Sequence, residues 1–239
     1  MEEKLINIGE AAKMLGVSID TLRRWDESGK LIAVRKQGGT HRYYKERDLE
    51  IFSSDIIKFA FKWAKNGGEF PRSFYSQNSA DFQARLSKME YQLMKKPGLE
   101  KLYSLIVLVA GEIGDNSFAH NIGKWPDVPG VFFGYDIDKG LIVLADRGLG
   151  VLETLRRVRP ELQNHVDALQ VAFTEFISGR APEKRGNGLK LVREVVTSNP
   201  IDLFYTTGDA ETRIQGKERS FRVTRGQDVV RGCLAKIEF

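Results

Sequence analysis

The chain has a single cysteine, Cys233, so no disulfide can form within it, which fits a reducing, cytoplasmic setting. Its three histidines, His41, His120 and His165, lie far apart in sequence, and with one cysteine they offer no ligand set for a structural zinc. Long apolar runs are also missing. The longest, Leu105 to Ala110, is six residues, whereas a membrane helix needs about 20. The start, Met1-Glu2-Glu3-Lys4, has no apolar stretch of the kind a secretory signal needs. A soluble protein with no membrane partner is therefore expected. At 239 residues, with 41% hydrophobic and 29% charged side chains, the chain can build one large domain or two modest ones.

Neither sign of charge is scarce, but the net +5 is unevenly placed. Residues 1–55 carry 10 basic and 10 acidic groups, and residues 102–239 carry 18 of each. The surplus lies in 56–101, with 9 basic against 4 acidic. A basic segment suits nucleic acid or an acidic protein, although charge runs are more often solvated faces.

Near the start, Ile8, Ala11, Ala12 and Leu15 form the stripe of a short helix. Gly16 supplies a turn, and Ser18 reads as the N-cap of a second helix running through Leu22 and Trp25 towards Gly29. Helix, turn and helix in 20 residues is helix-turn-helix spacing. The second helix offers Ser18, Thr21, Arg23 and Arg24 to phosphates or base edges. Two β-prone runs around Gly38-Gly39 then read as a hairpin bearing Arg35, Lys36, His41, Arg42 and the Tyr43-Tyr44 pair. From Lys30 to Arg47 there are six basic residues and one acid. A third helix is expected from Lys45 to Phe52.

This stretch resembles the winged helix-turn-helix of the MerR family, especially its excisionase-like members. The resemblance rests on Ile8-Gly9-Glu10-Ala11-Ala12, Gly16-Val17-Ser18, Thr21-Leu22-Arg23-Arg24-Trp25 and Gly38-Gly39-Thr40-His41-Arg42-Tyr43-Tyr44. It implies double-stranded DNA as partner, a homodimer or cooperative array, and contacts from Ser18, Thr21, Arg23, Arg24, Arg35, Lys36, His41, Arg42 and Tyr44. Leu22 and Trp25 are expected in the core.

Residues 55–98 read as a basic helical connector. Gly67-Gly68 breaks its first helix, and 71–79 reads as an irregular loop. Phe82, Leu86, Met89 and Leu93 follow at helical spacing. Such a stripe needs an apolar partner, either in its own domain or in a second copy.

Leu99 to about Asn121 reads as one long helix with Glu112, Asn116 and His120 four apart. At 100° per residue they form one slowly advancing stripe. Asn116 could supply an oxygen to Mg²⁺, and Glu112 could orient or deprotonate a water or hydroxyl. Alone, such a stripe reads as a solvated face. Two later segments change its meaning. Gly140 to Ala145 reads as a buried strand ending at Asp146, followed by Gly148 and Gly150; a carboxylate there could accept from an adenine amine. Gly186-Asn187-Gly188-Leu189 reads as the opening of a helix, whose backbone N–H groups could hold phosphate. Between them, 151–185 is long enough for a lid, with Arg180, Lys184 and Arg185 at its end. Strands are expected at 203–205, 221–223 and 234–237.

In order and separation, the three segments resemble the nucleotide boxes of the GHKL ATP-binding superfamily, which includes gyrase B, histidine kinases and anti-sigma-factor kinases. The resemblance covers about 99–239. It implies an α/β sandwich with a mixed sheet covered by helices, with Mg-ATP or ADP bound between sheet and lid. It assigns Mg²⁺ to Asn116, the base to Asp146, a general-base role to Glu112, and the nucleotide to Gly148, Gly150, Arg180, Lys184, Arg185, Gly186 and Gly188. No phosphoacceptor histidine box precedes the pocket, which counts against a histidine kinase. The expectation is an α+β protein in three parts: 1–54 binding DNA, 55–98 connecting, 99–239 binding ATP. Its leading function is a regulator whose nucleotide state biases DNA or partner binding. An ATPase, or a protein Ser/Thr kinase targeted to DNA and acting on a protein partner, stands beside it, as does a degenerate scaffold.

Overall fold

The computed structural model describes residues 4–15, 17–36, 39–53, 56–68, 72–175, 188–218 and 220–239. Its first unit starts with β1 (Leu5–Asn7), α1 (Ile8–Leu15) and α2 (Ile19–Ser28). Ser18 caps α2 by accepting from the Thr21 N–H at 3.0 Å, and Gly29 ends it in the left-handed conformation, φ 77°. Both signals are local, which is why they could be read from sequence. β2 (Val34–Arg35) and β3 (Arg42–Lys45) form the expected hairpin, and α3 (Glu46–Ser53) follows. The sheet order is β1-β3-β2, so β3 is central, flanked by the unforeseen β1. Ile6, Ala11, Ala12, Leu22, Leu31, Tyr44 and Leu49 close a small core.

The larger unit is a five-stranded sheet in the order β4-β5-β6-β8-β7. Its strands are β4 (Tyr75–Ser76), β5 (Val131–Asp136), β6 (Leu141–Asp146), β7 (Asp202–Ile214) and β8 (Val223–Glu238). Every pairing is antiparallel, which corrects the mixed sheet expected. The two late strands are also far longer than the apolar triplets that announced them, because their outer halves pair as a polar ribbon.

Helices cover both faces. On one, α5 (Ser79–Met94), α6 (Tyr103–Asn121), α7 (Gly150–Leu155), α8 (His165–Thr174) and α9 (Gly188–Ser198) share a core with Phe133, Leu144, Leu203 and Ala235. On the other, Ala60, Trp63 and Ala64 of α4 (Ile56–Asn66) pack with Phe132, Val143, Phe204 and Leu234. Residues 56–94, read as a connector, thus supply α4, β4 and α5 to the sheet's own layers. The Phe82, Leu86, Met89 and Leu93 stripe lies against α6 of the same chain. The supposed loop at 71–79 holds a single 3₁₀ turn, Arg72–Phe74, and then β4. Among the described residues, no helix is long and apolar enough to cross a membrane.

Among the described residues, several side chains join the two units. Phe52 of α3 packs on Trp25 of α2, with centroids 4.7 Å apart, and on Phe74 at 6.4 Å. Beyond the end of α2, Lys30 reaches Asp136 of β5 at 3.1 Å and lies 4.6 Å from the Trp25 ring centre. A cation so placed and largely dry is worth about 1–2 kcal/mol over the ring alone. The Gln92 amide of α5 donates to the Ser28 carbonyl at 3.3 Å.

Candidate functional site

In the small unit, Ser18 and Thr21 sit at the start of α2 with their hydroxyls 2.9 Å apart. Arg23 and Arg24 are exposed on the same helix; Arg23 pairs with Asp20 at 2.8 Å, and Arg24 leans to the Thr21 hydroxyl at 3.4 Å. The wing is stapled to this helix by Asp26. Its carboxylate accepts from the Ala33 N–H at 2.8 Å, from Arg42 Nε at 2.6 Å and from Arg35 Nη2 at 2.7 Å. Burial pushes that carboxyl up, but these three donors outweigh it and hold the group below its usual range. Arg35 and Arg42 therefore lie side by side against α2. His41 is exposed, and Lys36 lies over the Tyr43 ring at 4.7 Å.

Tyr44 requires a correction. It is fully buried, and its hydroxyl donates to the Leu22 carbonyl at 3.0 Å. Burial raises its pKa to about 12. It is a core residue and cannot reach DNA from this position. Alternation along β3 turns Tyr43 outward and Tyr44 inward.

In the large unit, α6 brings the three sequence segments together. Its Glu112 and Asn116 face the start of α9: a Cβ on Gly188 would lie 2.7 Å from Glu112 Oε2 and 2.9 Å from Asn116 Nδ2. Only a residue without a side chain leaves that gap open. Among the described residues neither side chain has a hydrogen-bond partner, and both are half-buried. One step round the helix, Ser117 donates its hydroxyl to Asp146 Oδ2 at 2.7 Å. One turn on, Asn121 accepts from the Leu149 N–H at 2.8 Å. Sequence reading missed both residues. Their spacing from Asn116 was visible, but their role depends on a turn brought in from elsewhere in the chain.

Asp146 closes that turn. Besides Ser117 it accepts from the Gly148 N–H at 2.8 Å, and the Cys233 backbone adds a further hydrogen bond. Burial outweighs these donors and raises its pKa to about 6. Gly148 lies against the Asn121 amide, where a Cβ would come within 2.1 Å. Gly150, at φ 75°, passes Thr207 and Gly232 of the β7–β8 ribbon. Most of the expected lid is packed structure instead: Val151, Leu152, Leu155, Ala168, Leu169, Val171 and Phe173 are core. Arg180, Lys184, Arg185 and Gly186 lie outside the described residues. His165 at the start of α8 is half-exposed and meets Asp209 at 2.8 Å.

With both sites described, comparison with known proteins bears on the first. Residues 7–44 match the family described as MerR family regulatory protein. The N-terminal unit is a MerR-type DNA-binding helix-turn-helix. The chain is 38% identical over 63 residues to the type II methyltransferase M.Eco47II of Escherichia coli, covering 26% of this chain and 15% of that protein. It is 43% identical over 53 residues to the transcriptional repressor DcmR of Methylorubrum extorquens, covering 22% of this chain and 20% of that protein. The MerR-type likeness thus spans a fifth or less of these relatives' own length.

Proposed function

We propose that this chain is a DNA-binding regulator whose larger unit is a GHKL-type domain that binds Mg-ATP and couples nucleotide state to DNA or partner binding. The observation carrying the reading is the convergence on α6: Glu112 and Asn116 meet the glycine start of α9, and Ser117 and Asn121 hold the Asp146–Gly150 turn. A bound nucleotide fits this donor set. At the phosphate end, the space a Gly188 Cβ would fill lies beside the Asn116 amide, nitrogen nearer than oxygen, and the Glu112 carboxylate. At the base end, a carboxylate has about four lone-pair positions, and Asp146 uses three.

In this reading Asn116 offers its oxygen to Mg²⁺, and the α9 N-terminus offers backbone N–H groups to phosphate. Asp146 accepts from the base amine. The resemblance assigns the phosphates also to Arg180, Lys184, Arg185 and Gly186, which lie outside the described residues. Bound Mg-ATP supplies a γ-phosphate that distinguishes it from ADP and a bond that can be hydrolysed or transferred. The resemblance assigns Glu112 as the base for that step, which keeps an ATPase or protein Ser/Thr kinase as the second reading. DNA binding would be as a homodimer through α2 and the wing. One similar protein is named a transcriptional repressor, which supports transcription as the process regulated.

Calorimetric titration with Mg-ATP and Mg-ADP tests the pocket. Wild-type protein should bind, Asn116→Ala should bind Mg-ATP at least tenfold more weakly, and no heat at millimolar nucleotide would end the reading. Glu112→Ala should keep binding and lose any turnover. If turnover is lost while nucleotide still alters DNA affinity, the switch does not need hydrolysis.

A further inference from the structure

Arg147 stands between Asp146 and Gly148, in the middle of the candidate nucleotide turn, yet its side chain serves another element. Only 5% exposed, it donates through Nη1 to the Trp63 and Ala64 carbonyls of α4, at 3.0 and 2.6 Å. Its Nε and Nη2 donate to Asp127 Oδ2 at 3.0 and 2.7 Å, and Arg231 of β8 reaches the same oxygen at 3.1 Å. Gly67, just past α4, wraps the guanidinium: a Cβ there would be 3.2 Å from it. Arg147 thus caps the C-terminal end of α4, where unpaired carbonyls and the helix dipole both favour a cation.

The far end of α4 leads into the DNA unit. Helix α3 precedes it, and Phe52 of α3 stacks on Trp25 of α2, the helix that carries Arg23 and Arg24. One helix therefore joins the turn that holds Asp146 to the helix that reads DNA. A buried guanidinium separated from its carbonyls and its carboxylate is strongly unfavourable. A displacement of the Asp146–Gly150 turn must therefore carry the end of α4 with it. At the same place Lys30 reaches Asp136 of β5, and its ammonium lies over both the Trp25 and the Phe52 rings, so α2, α3 and β5 meet at one contact.

We propose that Arg147 is the positioning residue that couples the nucleotide turn to the DNA unit through α4. This inference rests on the nucleotide reading of the Asp146–Gly150 turn. Arg147 touches neither ligand; it makes the position of α4 depend on the conformation of the turn.

The test uses the full chain and a 30-bp duplex selected from a random pool by the wild-type protein. DNA affinity is read by fluorescence anisotropy with and without saturating Mg-ATP, and nucleotide affinity by calorimetry. Wild-type DNA affinity should change at least about fivefold with nucleotide, within the usual range of coupling between sites. In Arg147→Met that ratio should fall to within about twofold of one, while nucleotide affinity and nucleotide-free DNA affinity each stay within about threefold of wild type. Arg147→Lys, which keeps the charge but not the fork, should recover part of the ratio. A merely structural role would lower the melting temperature and leave the ratio alone. Should Arg147→Met fail to fold, Asp127→Asn loosens the same guanidinium and should at least halve the ratio. An unchanged ratio in either folded variant overturns the inference. So does a wild-type ratio of one with nucleotide bound, and that result leaves the pocket standing. No nucleotide binding at all removes the pocket and this inference together.

Discussion

Asp146 is a carboxylate that the fold would hold more cheaply as an amide. Burial raises its pKa from the usual 3.8 to about 6, and each tenfold change in proton affinity is worth about 1.4 kcal/mol. Keeping it ionised at pH 8 therefore costs about 3 kcal/mol. The sign follows from linkage. Below pH 3.8 the group is protonated whether folded or not and the cost vanishes. Between 3.8 and 6 the unfolded chain ionises first and stability falls; above 6 the loss is constant. Asn at this position can keep these contacts only if its single oxygen accepts from both the Gly148 and the Cys233 N–H while its amide donates to a reoriented Ser117 hydroxyl. Asp146→Asn should therefore match wild type closely at pH 4 and be more stable by about 3 kcal/mol at pH 8. At pH 8 that corresponds to roughly 6–12 °C in the melting temperature of a unit this size. Urea unfolding of both proteins at the two pH values, followed by tryptophan fluorescence, measures the gap. Taking the difference removes the acids whose pKa values are lowered, such as Asp26 and Asp127, since both proteins share them. A gap that is independent of pH, or that shrinks as pH rises, would refute the assignment of a buried, costly charge. On the proposed nucleotide reading, the same substitution should weaken Mg-ATP binding, because it alters the acceptor assigned to the base.

Tyr44→Phe removes a buried hydrogen bond to Leu22, so it should cost about 1 kcal/mol in calorimetric stability and leave DNA affinity within twofold; a large loss of DNA binding would return Tyr44 to the interface. Replacing both Arg23 and Arg24 by Ala should reduce the slope of log affinity against log salt by about 1.8, two phosphate contacts at about 0.9 each. An unchanged slope would remove α2 from backbone contact. Gly188→Ala places a methyl against Glu112 and Asn116. Nucleotide affinity should fall at least tenfold while the melting temperature stays close to wild type, since Ala favours the helix by up to about 1 kcal/mol.

The parts of this protein legible in sequence are those decided within a few residues. Ser18 and Gly29 announce the ends of α2, and the Phe82, Leu86, Met89 and Leu93 stripe announces α5. What could not be read depends on distant partners. Tyr44 shares a basic, aromatic wing with true surface residues, and only its pairing with Ile6 of β1 shows which way it faces. Ala60, Trp63 and Ala64 sit at core spacing in α4, but Lys58, Lys62 and Lys65 among and around them give the segment a basic, solvated look. Asp146, Glu112, Asn116 and Gly188 were singled out as types in a spacing; that α6 gathers them, with Ser117 and Asn121 holding the turn, is a property of the assembled sheet. Its antiparallel order was hidden because β8 enters between two strands made earlier.

That insertion has a consequence in time. During synthesis the small unit has all of its core residues by Phe52, whereas the large sheet cannot close until β8 lies between β6 and β7. At the usual 5–20 residues per second, the intervening stretch takes roughly 10–40 s to translate. Through that interval a nascent chain holds a finished DNA-reading unit beside an unfinished sheet, with the apolar strand β6 still waiting for its neighbour. Any control the large unit exerts over DNA begins only when β8 is in place.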